Sequence, residues 1–451
     1  MTSTTDPGPS QADARSDDAA EGGDAPFSRG YSWYALALLF VVYIFNFIDR
    51  SILGILAQPI KEDLGLSDTQ LGFMGGIAFA IFYTMLGIPI ARLADRGVRR
   101  NILATCLAIW SLMTAFCGLA QSFLQLLACR IGVAIGEAGG SPPAHSIISD
   151  LFTRDSRATA LGIYALGIPV GTMLGNFLGG WINEAFDWRV AFFVVGAPGV
   201  LLAVVVRLTL REPPRGMSEP PEVRAAAADA PAAPPVADVF KALWGRRSFR
   251  WMSIGAALHA FVGYGVGYWI PTLFQRVHGF STGEIGTALF WLGIPGVLGT
   301  FLGGWLGDRM ARRDLRWYVW LPGLATLVSV PFAFYVYTHP DPWFALWVYA
   351  FPVFLGSYYL GPTFSLTQGL VGLRMRALAA SILLFILNII GLGLGPQFVG
   401  ILSDLLAGSY GNESLRIALV AVLAFNVLST GFYLLASRTL KDDLARSHEL
   451  G

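Results

Sequence analysis

Charged residues are scarce in this chain of 451 residues: they make up 14%, whereas hydrophobic residues make up 54%. An ordinary soluble domain carries about 25% charged residues, so the composition excludes that class of protein. Apolar runs of about 20 residues recur along the chain, and each can cross a hydrocarbon core about 30 Å thick. Because a helix closes its backbone hydrogen bonds within one apolar segment, the sequence predicts an all-α polytopic membrane protein.

Cysteine and histidine are also rare, with three and five residues. Cys106, Cys117 and Cys129 all lie in apolar runs, which predicts free thiols rather than a disulfide framework. No Cys/His spacing is typical of a metal site, and the sequence has no Ser/His/Asp grouping or nucleotide-binding glycine loop. We therefore expect no metal, no cofactor, no catalytic residue and no enzyme activity. The net charge of +1 also argues against a nucleic-acid partner.

The apolar runs number twelve and form two groups of six, separated by a stretch rich in proline and alanine. Their approximate bounds are 33–58, 69–93, 101–119, 122–145, 157–181, 189–208, 250–275, 285–307, 317–337, 343–368, 376–402 and 416–437. The polar start is typical of disorder. We predict a disordered cytoplasmic tail over 1–30, six-helix bundles over 31–210 and 249–438, a cytoplasmic linker over 211–248 and a cytoplasmic C-terminus over 439–451.

The positions of the 31 Lys and Arg residues predict the orientation in the membrane. Most of them fall in the tail, in the connections on the side of the N-terminus and in the C-terminal segment. Lys61, Arg189, Arg276 and Arg416 fall on the other side. Since cytoplasmic loops carry the excess of Lys and Arg, we expect both termini in the cytoplasm and the protein in the inner (plasma) membrane.

Four ionisable residues lie inside the predicted spans, Asp49 and Arg50 in the first, Arg130 and Glu137 in the fourth. Each costs about 2.5–3.5 kcal/mol on insertion scales, so such residues usually mark an ion or substrate path. Arg130 and Glu137 are two helical turns apart and project from one face, which predicts a buried pair. Asn46 lies one turn from Asp49 and can hydrogen-bond to it. A static charge network that holds the helices together is the alternative.

The chemistry of these residues predicts their roles. Arg50 and Arg130 carry permanent planar donors, which suit a carboxylate or phosphate ligand. Glu137 is expected nearer the middle of the membrane than Asp49 and has no arginine beside it in sequence. We therefore expect Glu137, ahead of Asp49, to carry a transported proton, and Asn46 to contribute to substrate binding.

The second half of the chain supplies polar and aromatic candidates instead of charges. Tyr264 and Tyr268 lie one turn apart in the seventh span, Tyr358 lies in the tenth and Asn388 in the eleventh. We expect all four to line a substrate site, with packing alone as the alternative reading for the tyrosines. His259, also in the seventh span, is expected to be a hydrogen-bonded interior residue rather than a proton relay.

A charged motif closes the second and the eighth spans in the same way. The first copy runs from Ala91 to Arg100 and contains Asp95 and Arg96, and the second runs from Gly304 to Arg313 and contains Asp308 and Arg309. An acidic residue followed by arginines at a helix end can pair with neighbouring helix ends and with anionic lipid. We expect these four residues to act in gating, and a plain topology signal is the alternative.

Twelve spans in two repeats with these paired motifs resemble the major facilitator superfamily, which places a substrate site between its halves near mid-membrane. Regularly spaced glycines in the fifth and eleventh spans agree with it, because small residues let helices approach closely. Within that superfamily the chain resembles the Spinster-like transporters, in Asn46-Phe47-Ile48-Asp49-Arg50, Gly136-Glu137-Ala138, Ile147 to Phe152, Asp187-Trp188-Arg189 and Tyr268-Trp269-Ile270-Pro271.

This resemblance implies proton-coupled movement of an amphipathic lipid-like anion, such as a lysophospholipid or sphingolipid relative. A proton-coupled symporter of small organic or sugar acids is the alternative, and a membrane receptor or enzyme without transport is a third reading. The expected partners are the small-molecule substrate, protons and membrane lipids, and the expected state is a monomer.

Overall fold

The computed structural model describes residues 27–219, 235–372 and 375–448, which are helical and contain no strand. The first half contains α1 (Arg29–Ile55), α2 (Ala57–Leu64), α3 (Asp68–Gly75), α4 (Ile77–Arg96), α5 (Arg99–Cys117), α6 (Phe123–Glu137), α7 (Ser141–Leu151), α8 (Arg154–Ala165), α9 (Gly167–Ala185) and α10 (Trp188–Thr209). Residues 1–26 of the predicted tail and 220–234 of the predicted linker lie outside the described residues.

The second half contains α11 (Val236–Gly245), α12 (Arg247–His278), α13 (Thr282–Ala311), α14 (Trp317–Thr338), α15 (Pro342–Gly356), α16 (Leu360–Gly369), α17 (Arg376–Leu387), α18 (Gly395–Tyr410) and α19 (Ser414–His448). A π-helical segment, Asn388–Leu394, joins α17 to α18. Single-turn 3₁₀ segments follow α15 and precede α19.

Ten helical stretches of the described residues are long and apolar enough to cross a membrane. One of them, Arg376–Arg446, has 71 residues, and it turns at Gly411, which has a positive φ of 55°. It therefore crosses twice. The remaining crossing is the 32-residue helix α12. Its glycines and aromatic side chains make it less apolar than the other spans, but it is long enough to cross a membrane. The count of twelve agrees with the prediction, in two bundles of six.

Twelve crossings bring both chain ends to one side of the fold. We name it the terminal side, which holds Arg29 and the end of α19, and we name the opposite side the distal side, which holds Asp68 and Arg276. Within the halves, α1 packs on α9, α5 on α10 and α12 on α19. Between the halves, α9 packs on α13 and α3 packs on α18.

Glycines allow the closest of these helix contacts. A Cβ atom on Gly171 of α9 would lie 2.5 Å from the Ile44 carbonyl oxygen of α1. A Cβ on Gly286 of α13 would lie 2.5 Å from the Asn176 carbonyl oxygen of α9. Glycines of the fifth and eighth spans therefore let α9 pack closely against α1 and against α13.

The segment predicted as a linker is partly structured. Residues 211–219 lie on the terminal end of the first half, where the buried Arg99 binds the carboxylate of Glu212 at 2.7 Å and the carbonyl oxygen of Pro213 at 2.6 Å. The short helix α11 forms because Val239 and Leu243 bury against the second half. α12 begins at Arg247 rather than at 249, and α19 continues beyond 438 to His448.

Candidate functional site

A cavity of about 210 Å³ lies between the two halves at mid-depth. Arg50 and Arg130 line it from the first half, and Tyr264 and Tyr268 line it from the second. The aromatic rings of Phe47 and Phe79 and several glycines complete its wall. The sequence-predicted arginines and the two tyrosines of the seventh span are therefore brought together around one space.

Arg50 forms an ion pair with Glu137, with 2.5 Å between Nε and Oε2. The Glu137 side chain is fully buried, whereas that of Arg50 is 21% exposed. The guanidinium also lies against three aromatic rings, Phe47, Phe79 and Tyr83, at 4.9, 5.2 and 4.5 Å from their centroids. These contacts hold a charged group at the cavity wall, as cation–π contacts do in desolvated sites.

The predicted Arg130–Glu137 pair is corrected by this arrangement. Helical side chains tilt toward the helix N-terminus, so Arg50 on α1 tilts toward the terminal side, where Glu137 lies. Arg130 is on α6, which runs the other way, and its side chain tilts away from Glu137. Arg130 instead donates from Nη1 to the Asp49 backbone carbonyl oxygen at 3.1 Å.

Four atoms of the charged cluster are buried without a hydrogen-bond partner among the described residues. They are Oδ1 of Asn46, Oδ1 of Asp49, Nε of Arg130 and Oε1 of Glu137. Buried polar atoms are normally paired, so this cluster has room for a proton or a polar ligand atom. Asp49 is 1% exposed and its carboxylate has no arginine contact, since Arg130 binds its backbone. Asp49 and Glu137 are close enough to interact with each other.

The second half positions its candidate residues unequally. Tyr268 lines the cavity and donates a 3.0 Å hydrogen bond to the Leu71 carbonyl oxygen of the first half. Tyr358 is a correction to the expectation, because its ring packs against Phe354, its backbone lies against Gly303, and it lines neither cavity. Its neighbour Tyr359 faces inward instead. Asn388 begins the π-helical segment and does not line the described cavities.

A second cavity, of about 300 Å³, lies within the second half and meets the first cavity at Gly263 and Tyr264. His259 lines it and is held by Asn426 at 3.1 Å and by the Gly356 carbonyl oxygen at 2.8 Å. This is the hydrogen-bonded interior position expected for His259. Tyr359 packs edge-on against the imidazole, with 4.8 Å between ring centroids.

Apart from the Tyr268–Leu71 hydrogen bond at the cavity wall, the hydrogen bonds and ion pairs that join the two halves of the described chain lie at the distal end. Asp68 accepts from Arg276 at 2.8 and 2.9 Å, from Lys61 at 2.5 Å and from the Ser403 hydroxyl at 2.6 Å. Asp404 accepts from the backbone of Asp68 at 3.1 Å. We name this group the distal latch.

Backbone contacts reinforce the distal latch. A Cβ on Gly72 would lie 2.6 Å from the Pro396 carbonyl oxygen, and one on Gly76 would lie 2.5 Å from the Gly393 carbonyl oxygen. Next to the distal latch, Glu184 of α9 accepts from the Ser281 hydroxyl at 2.6 Å. The halves therefore meet closely on the distal side.

The gating candidates lie on the terminal side. Asp95, Arg96, Asp308 and Arg309 are exposed. Asp308 accepts from the Tyr318 hydroxyl at 3.1 Å, and Arg309 lies over the Trp305 ring, so both contacts stay within the second half. With the distal side sealed and these helix ends apart, the central cavity faces the terminal side. No group of three His, Cys, Asp or Glu residues in the described part of the chain is placed to hold a metal ion.

Two six-helix bundles around a charged cavity between them have the architecture of a membrane transporter. Residues 39–396 match the family model of the Major Facilitator Superfamily, and the chain belongs to that family. It is a transporter of the Spinster type within it.

Known proteins and structures agree with that assignment. The chain is 35% identical over 419 residues to an MFS-type efflux pump of Mycolicibacterium smegmatis, which covers 92% of this chain and 94% of that protein. It is 30% identical over 326 residues to protein spinster homolog 1 of Homo sapiens, over 68% of this chain and 60% of that one. A crystal structure of a bacterial homolog to the human lysosomal transporter Spinster, inward-facing and unoccupied, superposes with a TM-score of 0.84. It has 36% sequence identity and covers 92% of this chain and 99% of that chain.

Proposed function

We propose that the protein is a proton-coupled secondary active transporter of an amphipathic, anionic, lipid-like substrate of the lysophospholipid or sphingolipid type. It acts as a monomer in the inner (plasma) membrane with both termini in the cytoplasm, and it is not an enzyme. The observation that carries the proposal is the pair of arginines, Arg50 and Arg130, at the wall of a cavity whose opposite wall is aromatic.

The two walls of the cavity suit the two ends of an amphipath. Arg50 and Arg130 offer guanidinium donors that bind phosphate or carboxylate oxygens. The free Nε of Arg130 is one such donor. The wall formed by Tyr264 and Tyr268 leads to the second cavity, which is lined largely by apolar and aromatic side chains. We place the headgroup on the arginines and the apolar part of the substrate in the second half.

Coupling between proton binding and substrate binding follows because Glu137 and the substrate anion share Arg50 as a partner. In the ion pair, Arg50 is bound to Glu137 and only part of its surface faces the cavity. Protonation of Glu137 removes that partner and leaves the guanidinium to a substrate anion. Two ligands that compete or cooperate through one residue change each other's affinity by the same factor. Asp49, buried beside Glu137, is the second carboxyl that takes part in this proton binding.

A symporter of small organic or sugar acids is the second candidate. The observation that favours it is the modest volume of the central cavity, about 210 Å³. An amphipath needs the adjoining cavity as well, whereas a small acid does not. The route between the cavities past Gly263 and Tyr264 therefore separates the two candidates.

The test is a ligand-stabilisation screen on the purified protein, followed by uptake into proteoliposomes with an imposed pH gradient. A ligand that binds the folded state at about 100 times its Kd stabilises it by about 2.7 kcal/mol. We expect lysophospholipids or sphingoid phosphates to raise the unfolding temperature, and sugar acids to leave it unchanged. Arg50→Ala should remove the effect and Arg207→Ala, an exposed arginine outside the cavity, should retain it. Stabilisation by sugar acids alone would favour the second candidate.

A further inference from the structure

Polar side chains at four-residue intervals lead from Glu137 toward the terminal side. Glu137 ends α6, Ser141 begins α7, and His145 follows one turn later. Residues at this spacing lie on one helix face, and each interval rises about 6 Å. The Gly140 backbone donates to the Glu137 carbonyl oxygen at 3.0 Å, so the helical turn continues across the junction. Glu137 is buried, whereas His145 is exposed on the terminal side.

Two tyrosines from other helices pack beside the helix face that carries Glu137, Ser141 and His145. Tyr43 of α1 and Tyr164 of α8 are stacked, with 4.2 Å between centroids and 9° between planes. The Ser141 hydroxyl lies beside both phenols. His145 lies edge-on to the Tyr164 ring, with 5.2 Å between centroids. Hydroxyl-bearing side chains therefore lie next to the His145 imidazole and to Ser141, the residue one turn from Glu137.

Glu137 needs such a route because the central cavity does not reach it directly. Its side chain is not among those that line the cavity, and Arg50 lies between them. A guanidinium stays protonated in proteins and cannot relay a proton. Oε1 of Glu137, the oxygen not bound by Arg50, has no partner among the described residues.

We propose that Ser141 and His145 form a proton route between Glu137 and the terminal side, with His145 as the exchanging group at its mouth. The inference rests on the proposed function. A proton leaves Oε1 of Glu137, passes over the Ser141 hydroxyl and bridging water, binds a ring nitrogen of neutral His145 and leaves to the terminal solution. The reverse sequence loads Glu137.

The groups around His145 leave its imidazole free for this exchange. From α8 it faces Tyr164, and Tyr43 of α1 lies behind that ring. From α5, Arg99 is bound to Ser146 and Asp150. From α4, Tyr83 faces Arg50 instead. Within the described residues, His145 forms no contact with a carboxylate or a cation.

The experiment follows carboxyl protonation by infrared spectroscopy after a pH jump, using the full-length protein in proteoliposomes without added substrate. The carbonyl band that Glu137→Gln removes reports on Glu137. We expect His145→Ala and the larger His145→Gln to slow its rise by roughly tenfold or more, in the range of acid–base groups. Added imidazole should restore the rate in His145→Ala. His339→Ala, a half-buried histidine on the distal side, is the matched control and should keep the wild-type rate.

Each result decides a separate point. An unchanged rate in both His145 variants overturns the route, and so does a slower rate that imidazole does not restore, because that pattern indicates a structural role. If Glu137→Gln removes no titrating band, the coupling role of Glu137 fails first, and the proposed function fails with it. If the His145 variants do not fold, Ser141→Ala tests the same route at its inner end, and it should slow the rise of the Glu137 band.

Discussion

The Arg50 guanidinium and the Glu137 carboxylate face each other at 2.5 Å, one from each of two antiparallel helices. The pair joins the cavity wall to a buried acid that the cavity does not touch. In the proposed function, protonation of Glu137 therefore changes the net charge at the cavity wall. Breaking a buried pair by removing one partner costs about 3–5 kcal/mol, so the two residues are also coupled in stability.

Arg50→Ala should abolish substrate binding and lower the unfolding temperature, because it leaves the Glu137 carboxylate buried without its cation. The double variant Arg50→Ala/Glu137→Gln should recover most of the lost stability but no binding, because the uncompensated charge is gone and the anion ligand is still missing. Thermal unfolding and ligand stabilisation of both variants measure this. Normal uptake by Arg50→Ala would remove Arg50 from the site.

Glu137→Gln should retain counterflow exchange of substrate and lose accumulation driven by a pH gradient, because the amide resembles the protonated acid and cannot titrate. Asp49→Asn should weaken gradient-driven uptake less, since its carboxylate does not bind an arginine. Uptake with and without an imposed pH gradient distinguishes them. Should Glu137→Gln still concentrate substrate while Asp49→Asn does not, the transported proton belongs to Asp49.

Asp68→Asn should open the distal side, because one carboxylate there receives Arg276, Lys61 and Ser403. A single cysteine at position 176 in the cavity, in a protein without its native cysteines, should then react faster with a membrane-impermeant maleimide added on the distal side. Asp63→Asn is the control, since Asp63 pairs with Arg189 within the first half alone. Equal labelling rates in the two variants would show that the distal latch does not hold the halves together.

Asp95→Asn should bias the carrier toward the state that is open on the terminal side. In the described structure, which is open on that side, Asp95 is exposed and makes no contact with the second half. The reason is that the carboxylate is expected to bind opposing helix ends only when that side closes. Cysteine labelling from the terminal side should rise, with little change in substrate preference. Asp155→Asn, an exposed aspartate at the start of α8, is the matched control. Unaltered labelling would leave the motif as a topology signal.

Glu219 should make the 211–219 segment sensitive to acid. Hydrogen bonds from Arg157 and Arg154 lower its pKa, so the contacts stabilise the segment above the ordinary pKa of a glutamate and are lost as the pH falls through the lowered value. Hydrogen–deuterium exchange of the 211–219 backbone amides, divided by the intrinsic exchange rate at each pH, should become faster at acid pH in the wild type. In Glu219→Gln the same ratio should be high already at neutral pH. A ratio that is the same in both proteins would contradict the role of Glu219.

The helices, the two bundles and the membrane class could be predicted because length and apolarity alone decide them. The charged residues could also be identified, since ionisable groups in apolar spans are costly wherever they point. Their pairing could not, because it depends on the direction in which side chains tilt on antiparallel helices. The tilt of the Arg50 side chain toward the terminal side puts its guanidinium at the depth of Glu137. The position of Arg50 in the sequence does not show this depth.

The second half was harder to interpret for a similar reason. Tyr358 and Tyr359 are adjacent and chemically alike, and both belong to a single-turn 3₁₀ segment. The geometry of that turn directs Tyr359, and not Tyr358, into the second cavity. The hydrogen bonds of the distal latch are a further case. Asp68 and Arg276 are 208 positions apart, and only the packing of α3 on α18 and α12 brings them together. Their charges, near predicted helix ends, were the signal available in the sequence.

The distal closure also has an energetic consequence for the cell. Because Gly72 and Gly76 bring their backbones against the Pro396 and Gly393 carbonyl groups, main-chain packing closes this end together with the side chains of the distal latch. An empty carrier resting in this form offers no continuous water column from one face of the bilayer to the other. Protons therefore do not leak through the empty carrier, and the gradient that the proposed coupling would use is kept between transport cycles.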